Sequence, residues 1–226
     1  MGLAELLEVR PGVTAVIGGG GKTSLLRVLG EELARRGHTV LLCATTRFFP
    51  FPGLENLVSP AEETLWTALA ERRLVCAGAP VSGTGKLAAP EIPMERLAGL
   101  ADYVLAEADG SAGRPMKAHA PHEPVIPSLA NQTVLVVGAS GFGRSIGEAV
   151  HRPALYALLA GLPETAAVTP EAEAAVLRAE GLHNRVYVNQ AETAEALAEA
   201  AALAELLDCP VLAGSLRKGE YRQCSR

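Results

Sequence analysis

Aromatic residues are scarce: one Trp, four Tyr and four Phe amount to 4% of the 226 residues. An interior with so few rings is aliphatic, and 49% hydrophobic residues with a mean hydropathy of +0.20 favour an Ala/Leu/Val-rich α/β core over an aromatic-rich β-sandwich. Long apolar runs are missing as well. No stretch approaches the roughly 20 residues needed to span a bilayer, so no membrane association is expected. The opening MGLAELLEVRPG lacks a basic segment followed by an apolar one, so no export signal is expected and the cytoplasm is the expected compartment. Basic residues are not in excess. Twenty Lys and Arg stand against 25 Asp and Glu, a net charge of -5, and the cations are scattered. That removes the electrostatic footprint of a general nucleic-acid binder and leaves a small molecule or another protein as the partner. The four cysteines, Cys43, Cys76, Cys209 and Cys224, form no CxxC and no Cys/His pair at zinc spacing. Neither a disulfide framework nor a structural metal site is suggested. Only Cys224, in the polar tail RKGEYRQCSR, reads as a candidate exposed thiol.

What is present is an alternation of short apolar runs and helical stretches. Thr14 to Ile17 is an apolar run that ends at glycines. From Lys22 to Arg36, Leu25, Leu26, Val28, Leu29 and Leu33 recur at helical spacing. Thr39 to Cys43 (TVLLC) is a continuous apolar run of strand length, the pattern of a strand covered on both faces. Ser59, Pro60 and Glu62 read as a capping box opening a helix to about Arg73, and Val75 to Lys86 as a short strand and turn. YVLAE (Tyr103 to Glu107) and TVLVV (Thr133 to Val137) are two more buried-strand candidates. Thr169 and Pro170 open another helix, followed by a strand from Arg185 to Val188, a helix from Ala191 to Leu207 and a last short strand from Pro210 to Leu212. This order predicts a mostly parallel sheet with helices on both faces. With no repeat and no low-complexity linker, residues 1–226 read as one domain. A long Pro- and His-rich loop at 110–132 is its specificity element.

The turn VIGGGGKTS carries the clearest chemistry. Gly18, Gly19, Gly20 and Gly21 let backbone N–H groups approach phosphates in conformations that a Cβ would block. Lys22 supplies a cation for the β- and γ-phosphates, and Thr23, with Ser24 beside it, a hydroxyl for Mg2+. The helix beginning near Lys22 adds the positive end of its dipole. This is a P-loop for ATP or GTP, and it implies the three-layer α/β fold of P-loop NTPases. It departs from G-x-x-x-x-G-K-[ST] in one place, since Val16 stands where the first glycine would fall.

Such a site also needs a carboxylate at the end of a buried strand. YVLAEADG supplies Glu107 and Asp109, two apart and so on one side of an extended strand. Asp109 is the favoured metal partner. Glu107 is either its companion or the general base, and the sequence leaves that open. Thr45, Thr46 and Arg47 follow the second strand at the carboxyl edge, where open α/β sheets bind ligands, and Arg47 is a candidate for an anionic group. Lys86 and Lys117 are further candidates for the same work. His119 and His122, three apart, have too few neighbouring ligands for a metal site, and His122 fits substrate contact or proton transfer better. GASGFGR (Gly138 to Arg144) follows a strand and reads as a substrate-side loop.

Taken together, IGGGGKTS, the EADGSxGxPxK run, HEPVIP and VHRP (Val150 to Pro153) resemble the YqeC-type selenium-dependent hydroxylase accessory proteins, over nearly the whole chain. The resemblance implies a P-loop fold and a role in maturing selenium-dependent molybdenum hydroxylases. That hydroxylase, or its other maturation factors, is then the expected partner. It marks Lys22, Thr23, Glu107, Asp109, Gly110, Lys117, His122, Glu123, His151 and Arg152 as motif positions. The segment Asn189 to Glu192 is reminiscent of the base-reading N-K-x-D of GTPases, with Gln190 and Glu192 in place of Lys and Asp. Three activities remain open: an NTPase or phosphoryl-transfer protein, a nucleotide-gated scaffold without turnover, and selenium or sulfur handling by Cys43.

Overall fold

Short apolar runs become strands buried on both sides wherever helices cover the two faces of a sheet. In the computed structural model, which describes residues 2–224, this happens twice, in two compact units interleaved along the chain. One unit takes the chain up to Val16, then Thr23–Gly110 and Val125–Gln132; the other takes Ile17–Lys22, Ser111–Pro124 and the chain from Thr133 onward.

The first unit contains α1 (Leu3–Leu6), β1 (Gly12–Gly18) as far as Val16, and α2 (Lys22–Arg35) from Thr23. It continues with β2 (Val40–Ala44), β3 (Arg47–Phe48), β4 (Glu55–Val58), α3 (Glu62–Arg72), β5 (Leu74–Val81), β6 (Lys86–Ala88), α4 (Met94–Leu100) and β7 (Tyr103–Glu107). Strands β1, β7, β2 and β5 lie parallel in that order, with β4 parallel to β5, while β6 and β3 continue antiparallel at the edge. Every residue of β2 and β7 is buried. On one face Leu41, Cys43, Val75 and Val104 pack with Leu65 and Leu69 of α3 and Leu97 of α4. On the other, α2 approaches Leu42 and Leu74 at Gly30. Helices therefore cover both faces, which is why the strands are continuously apolar and do not alternate.

The second unit contains β8 (Met116–Lys117), β9 (Ala130–Gly138) from Thr133, α5 (Ile146–Ala149), β10 (Val150–His151), α6 (Pro153–Ala160), α7 (Pro170–Glu180), β11 (Arg185–Asn189), α8 (Ala194–Glu205), β12 (Val211–Ser215) and β13 (Glu220–Gln223). Strands β9, β11 and β12 are parallel in that order and β13 closes the edge antiparallel. β8 and β10 form a separate two-stranded parallel pair. Helix α7 begins as its sequence suggests: Pro170 occupies the first turn and the Thr169 hydroxyl accepts from the Ala172 N–H at 3.2 Å.

Three local readings differ from the structure. Ser59 does not cap α3. It ends β4 with φ at 43°, its N–H donates to the Gly78 carbonyl, and Ala61 stands at the N-cap with no side-chain bond. Pairing of ENLV with β5 overrides the local capping signal. The 110–132 segment carries β8 and the start of β9. The polar tail supplies β13, whose exposed, charged sequence suits an edge strand. That strand leads to Cys224, which is half-buried with its N–H on the Val211 carbonyl. Burial pushes its thiol up, unlike a reactive thiol. Among the described residues no helix is long and apolar enough to cross a membrane.

Candidate functional site

At the carboxyl end of β1 the glycine turn takes conformations that only glycine adopts freely. Gly18, Gly20 and Gly21 have φ of 97°, 71° and 123°. Space is as restrictive as the dihedrals: a Cβ on Gly20 would stand 2.4 Å from the backbone of Gly138. The turn is anchored within the second unit. Gly19 N–H donates to the Val136 carbonyl at 2.9 Å, and the Asn189 side-chain amide donates to the Gly20 carbonyl at 2.7 Å. Lys22 is buried and folds back on the turn, its Nζ donating to the Gly18 carbonyl at 2.7 Å. A buried ammonium bent over a glycine turn at the start of a 14-residue helix is the arrangement that favours phosphate. Val16, where the common motif has glycine, lies inside β1, fully buried opposite Glu107 of β7. That position is strand, so the glycine requirement there lapses.

The first unit holds the buried carboxylates Glu107 and Asp109. Thr23 Oγ1 donates to Glu107 Oε2 at 2.9 Å. Glu107 ends β7 and is buried, and so is Asp109, two residues on. The structure thus puts Glu107 on the Thr23 hydroxyl. Thr45 braces this strand end, its N–H on the Glu107 carbonyl at 2.9 Å and its hydroxyl on the Val125 carbonyl at 2.7 Å. Thr46 follows half-buried, and Arg47 begins the edge strand β3 with an exposed side chain. Hard oxygen donors of this kind suit Mg2+, which takes one or two carboxylates together with phosphates and waters. Among the described residues no cluster of three or more His, Cys, Asp or Glu is placed to hold a metal by itself.

The loop after Asp109 is ordered by charge. Lys117 Nζ meets Glu123 Oε2 at 2.9 Å, and Arg152 Nε meets Glu123 Oε1 at 2.7 Å, with the Lys117 side chain fully buried. Burial pulls the Glu123 carboxyl upward, but hydrogen bonds from Arg152 and Lys117 outweigh it and hold the group below its ordinary value. His122 is exposed, its Nε2 3.3 Å from Arg152 Nη2, while His151 pairs with Lys117 in the β8–β10 register. The motif residues Lys117, His122, Glu123, His151 and Arg152 are therefore one cluster. His119 is not part of it: its N–H and its Nδ1 both meet the Glu180 carboxylate, at 2.6 and 2.7 Å. The two loop histidines serve separate partners.

This loop also touches the glycine turn. Gly20 N–H donates to the Arg114 carbonyl at 3.2 Å, and Gly138 N–H to the Pro115 carbonyl at 2.8 Å. Sequence reasoning missed these contacts because they are made by backbone, which carries no residue signature. It also missed Ser215, whose hydroxyl donates to Glu192 Oε1 at 2.7 Å. Cys43 lies fully buried in the core, and burial pushes its thiol up to about 12, the opposite of an activated sulfur.

Comparison with known proteins agrees with the motif reading. The family described as YqeC protein matches residues 14–154. The Uncharacterized protein YqeC of Escherichia coli (strain K12) is 34% identical over 170 residues, covering 69% of this chain and 63% of the relative. The chain therefore spans about 63% of the length of the curated relative it matches. Two solved structures are similar at a TM-score of 0.43 each. They are the Signal Recognition Particle 54 kDa protein of Aeropyrum pernix K1 in complex with GDP (18% identity, 94% of this chain, 43% of that one) and the Hydrogenase Maturation Factor HypB of Archaeoglobus fulgidus (14% identity, 96% and 87%).

Proposed function

The chain belongs to the YqeC family, and from that premise we propose that it binds a magnesium nucleoside triphosphate and hydrolyses it or transfers its γ-phosphoryl group. The observation that carries this is the turn Gly18–Lys22, strained into glycine-only conformations with Lys22 folded over it at the head of α2. In the proposed cycle the turn's N–H groups and Lys22 neutralise the β- and γ-phosphates. Thr23, next in the chain, offers its hydroxyl to Mg2+, with Glu107 and Asp109 as the carboxylates of that side. Bound Mg2+ adds charge neutralisation at the transferred group. The family resemblance supplies the client: a selenium-dependent molybdenum hydroxylase or one of its maturation factors, in the cytoplasm. Two separate groups are the proposed substrate or partner contacts: Lys117, His122, Glu123, His151 and Arg152 in the second unit, and Thr45, Thr46 and Arg47 in the first. Because neither unit is a continuous stretch of chain, the same reading takes residues 1–226 as one domain that melts in a single transition.

A second reading, a nucleotide-gated scaffold without turnover, is favoured by one contact. The Gly20 N–H that a phosphate would claim is held by the Arg114 carbonyl, so nucleotide at the turn would displace the loop and change what it presents.

Melting in the presence of Mg-nucleotides tests both. At 100 times the dissociation constant a ligand stabilises by about 2.7 kcal/mol, which at this size raises Tm by roughly 5–11 °C. No shift with any nucleotide removes both readings. Turnover that Lys22→Ala abolishes and Glu107→Gln or Asp109→Asn strongly reduces supports the enzyme. Binding without turnover, client present, leaves the scaffold.

A further inference from the structure

Three loops of the second unit meet on the end of β11 and the residues that follow it. Asn189 spans two of them: its Nδ2 donates to the Gly20 carbonyl of the glycine turn at 2.7 Å, and its Oδ1 accepts from Leu216 N–H at 3.2 Å. Gln190, held at a φ of 64°, accepts from the Ser140 hydroxyl at 2.6 Å, which brings in the loop after β9. Ala191 N–H reaches the Gly214 carbonyl, and two residues past Gln190 the chain places Glu192. The Glu192 carboxylate is fixed by the buried Ser215 hydroxyl on Oε1 at 2.7 Å. Its Oε2 meets Arg217 at 2.8 Å and Lys218 Nζ at 3.7 Å, through side chains that are 80% and 45% exposed. Leu216, between Ser215 and Arg217, brings an apolar side chain beside Gly21, 3.9 Å from where a Cβ would stand. A carboxylate is thus held at the carboxyl edge of β11 and β12, on a frame tied directly to the phosphate turn.

We propose that this is the nucleobase site and that Glu192 makes the protein select guanine. The inference rests on the reading that Gly18–Lys22 binds nucleotide phosphates. Its chemistry is that of an acceptor-only group. Guanine alone among the common bases presents two adjacent donors, N1–H and the N2 amino group, and these match the two oxygens of one carboxylate. Adenine and cytosine place a ring-nitrogen lone pair beside their amino group, and uracil flanks its single N–H with carbonyls, so each would set an acceptor against the anion. Leu216 supplies the apolar wall for the purine face. Arg217 and Lys218 swing into solvent as the base arrives, at little cost, because exposed ion pairs are weak. Ser215 is a positioning residue: it holds the carboxylate and does not touch the base.

The test measures binding of MgGTP, MgITP, MgATP and MgXTP to the full chain by calorimetry, for the wild type and for Glu192→Gln. Inosine lacks the 2-amino group, and xanthine has a carbonyl in its place. The expected wild-type order is GTP, then ITP, then ATP. One charge-assisted hydrogen bond gives roughly a tenfold step between GTP and ITP. Glu192→Gln, whose amide offers one acceptor and one donor, should lose roughly tenfold or more for GTP and gain for XTP, and ATP should gain as the clash of its ring-nitrogen lone pair with the anion is relieved. Equal binding of GTP and ATP, a preference for ATP, or an unaltered ranking in Glu192→Gln overturns the base assignment and leaves the phosphate reading standing. Absence of binding by all four overturns both. The wild-type ranking decides the matter even if the variant fails to fold.

Discussion

The glycine turn at Ile17–Lys22 and the loop at Ser111–Pro124 belong to the same unit, touch through backbone hydrogen bonds, and are ordered by opposite means. In the turn the order comes from positive φ angles and from backbone packed too closely to admit a Cβ. In the loop it comes from a buried ion-pair cluster around Glu123 and from His119 on Glu180. The turn therefore has a shape that pH and salt barely alter. The loop's shape depends on charge, and a group of the opposite sign arriving at Arg152 or Lys117 would change it.

The largest predicted effect falls on the loop. Glu123→Ala removes the carboxylate between a buried Lys117 and Arg152, and loss of one partner of a buried pair costs about 3–5 kcal/mol. Thermal melting should show that loss, and trypsin should then cut after Lys117. A variant as stable and resistant as the wild type would mean that the charges do not hold the loop. Next comes Gly20→Ala, which sets a Cβ against Gly138 at a φ of 71° and should cost about 2–4 kcal/mol while leaving the pH dependence of stability unaltered.

The third prediction concerns pH. Glu173 on α7 is fully buried and accepts from the Tyr156 hydroxyl at 2.7 Å. Burial, opposed by that hydrogen bond and by His119 and reinforced by Glu180, pushes it up to about 7. A carboxyl raised in the folded state contributes stability that is complete below its unfolded value and is lost as pH rises through the folded one. Between about pH 4.5 and 7 the wild type should therefore lose on the order of 3 kcal/mol that Glu173→Gln retains. Melting curves of the two proteins across that range check it, and parallel curves would remove Glu173 from the account. Glu123, held low by its partners, has the opposite sign: its contribution persists at neutral pH and disappears as pH falls below its ordinary 4.5. The smallest effect is Thr169→Ala, which removes the cap of the helix carrying Glu180 and should cost about 1 kcal/mol, read as a drop in Tm of a few degrees.

These two regions were unequally legible. Gly18 to Thr23 could be read directly, because glycine, lysine and a hydroxyl in that order between an apolar run and a helix have one common physical use. Glu107 was legible as a strand-end carboxylate, yet its contact with Thr23 was not, since 84 residues separate the partners. The loop motifs singled out Lys117, His122, Glu123, His151 and Arg152 without saying that they form one cluster. Glu192 was noticed only as a departure from a base-reading motif. Ser215, which gives that carboxylate its place, carried no signal at all.

By itself, then, the amino-acid order determined the central elements and the chemistry on offer: parallel strands from continuous apolar runs, a tight turn from consecutive glycines followed by a lysine, carboxylates at strand ends. Those are local properties, set by dihedral preference and by the three or four residues on either side. Tertiary structure alone decided that Ser59 ends a strand and caps no helix, that Glu107 meets Thr23, that Arg114 covers Gly20 and that Ser215 aims Glu192. Each of these joins residues far apart in the chain, where sheet pairing and burial outweigh any local preference.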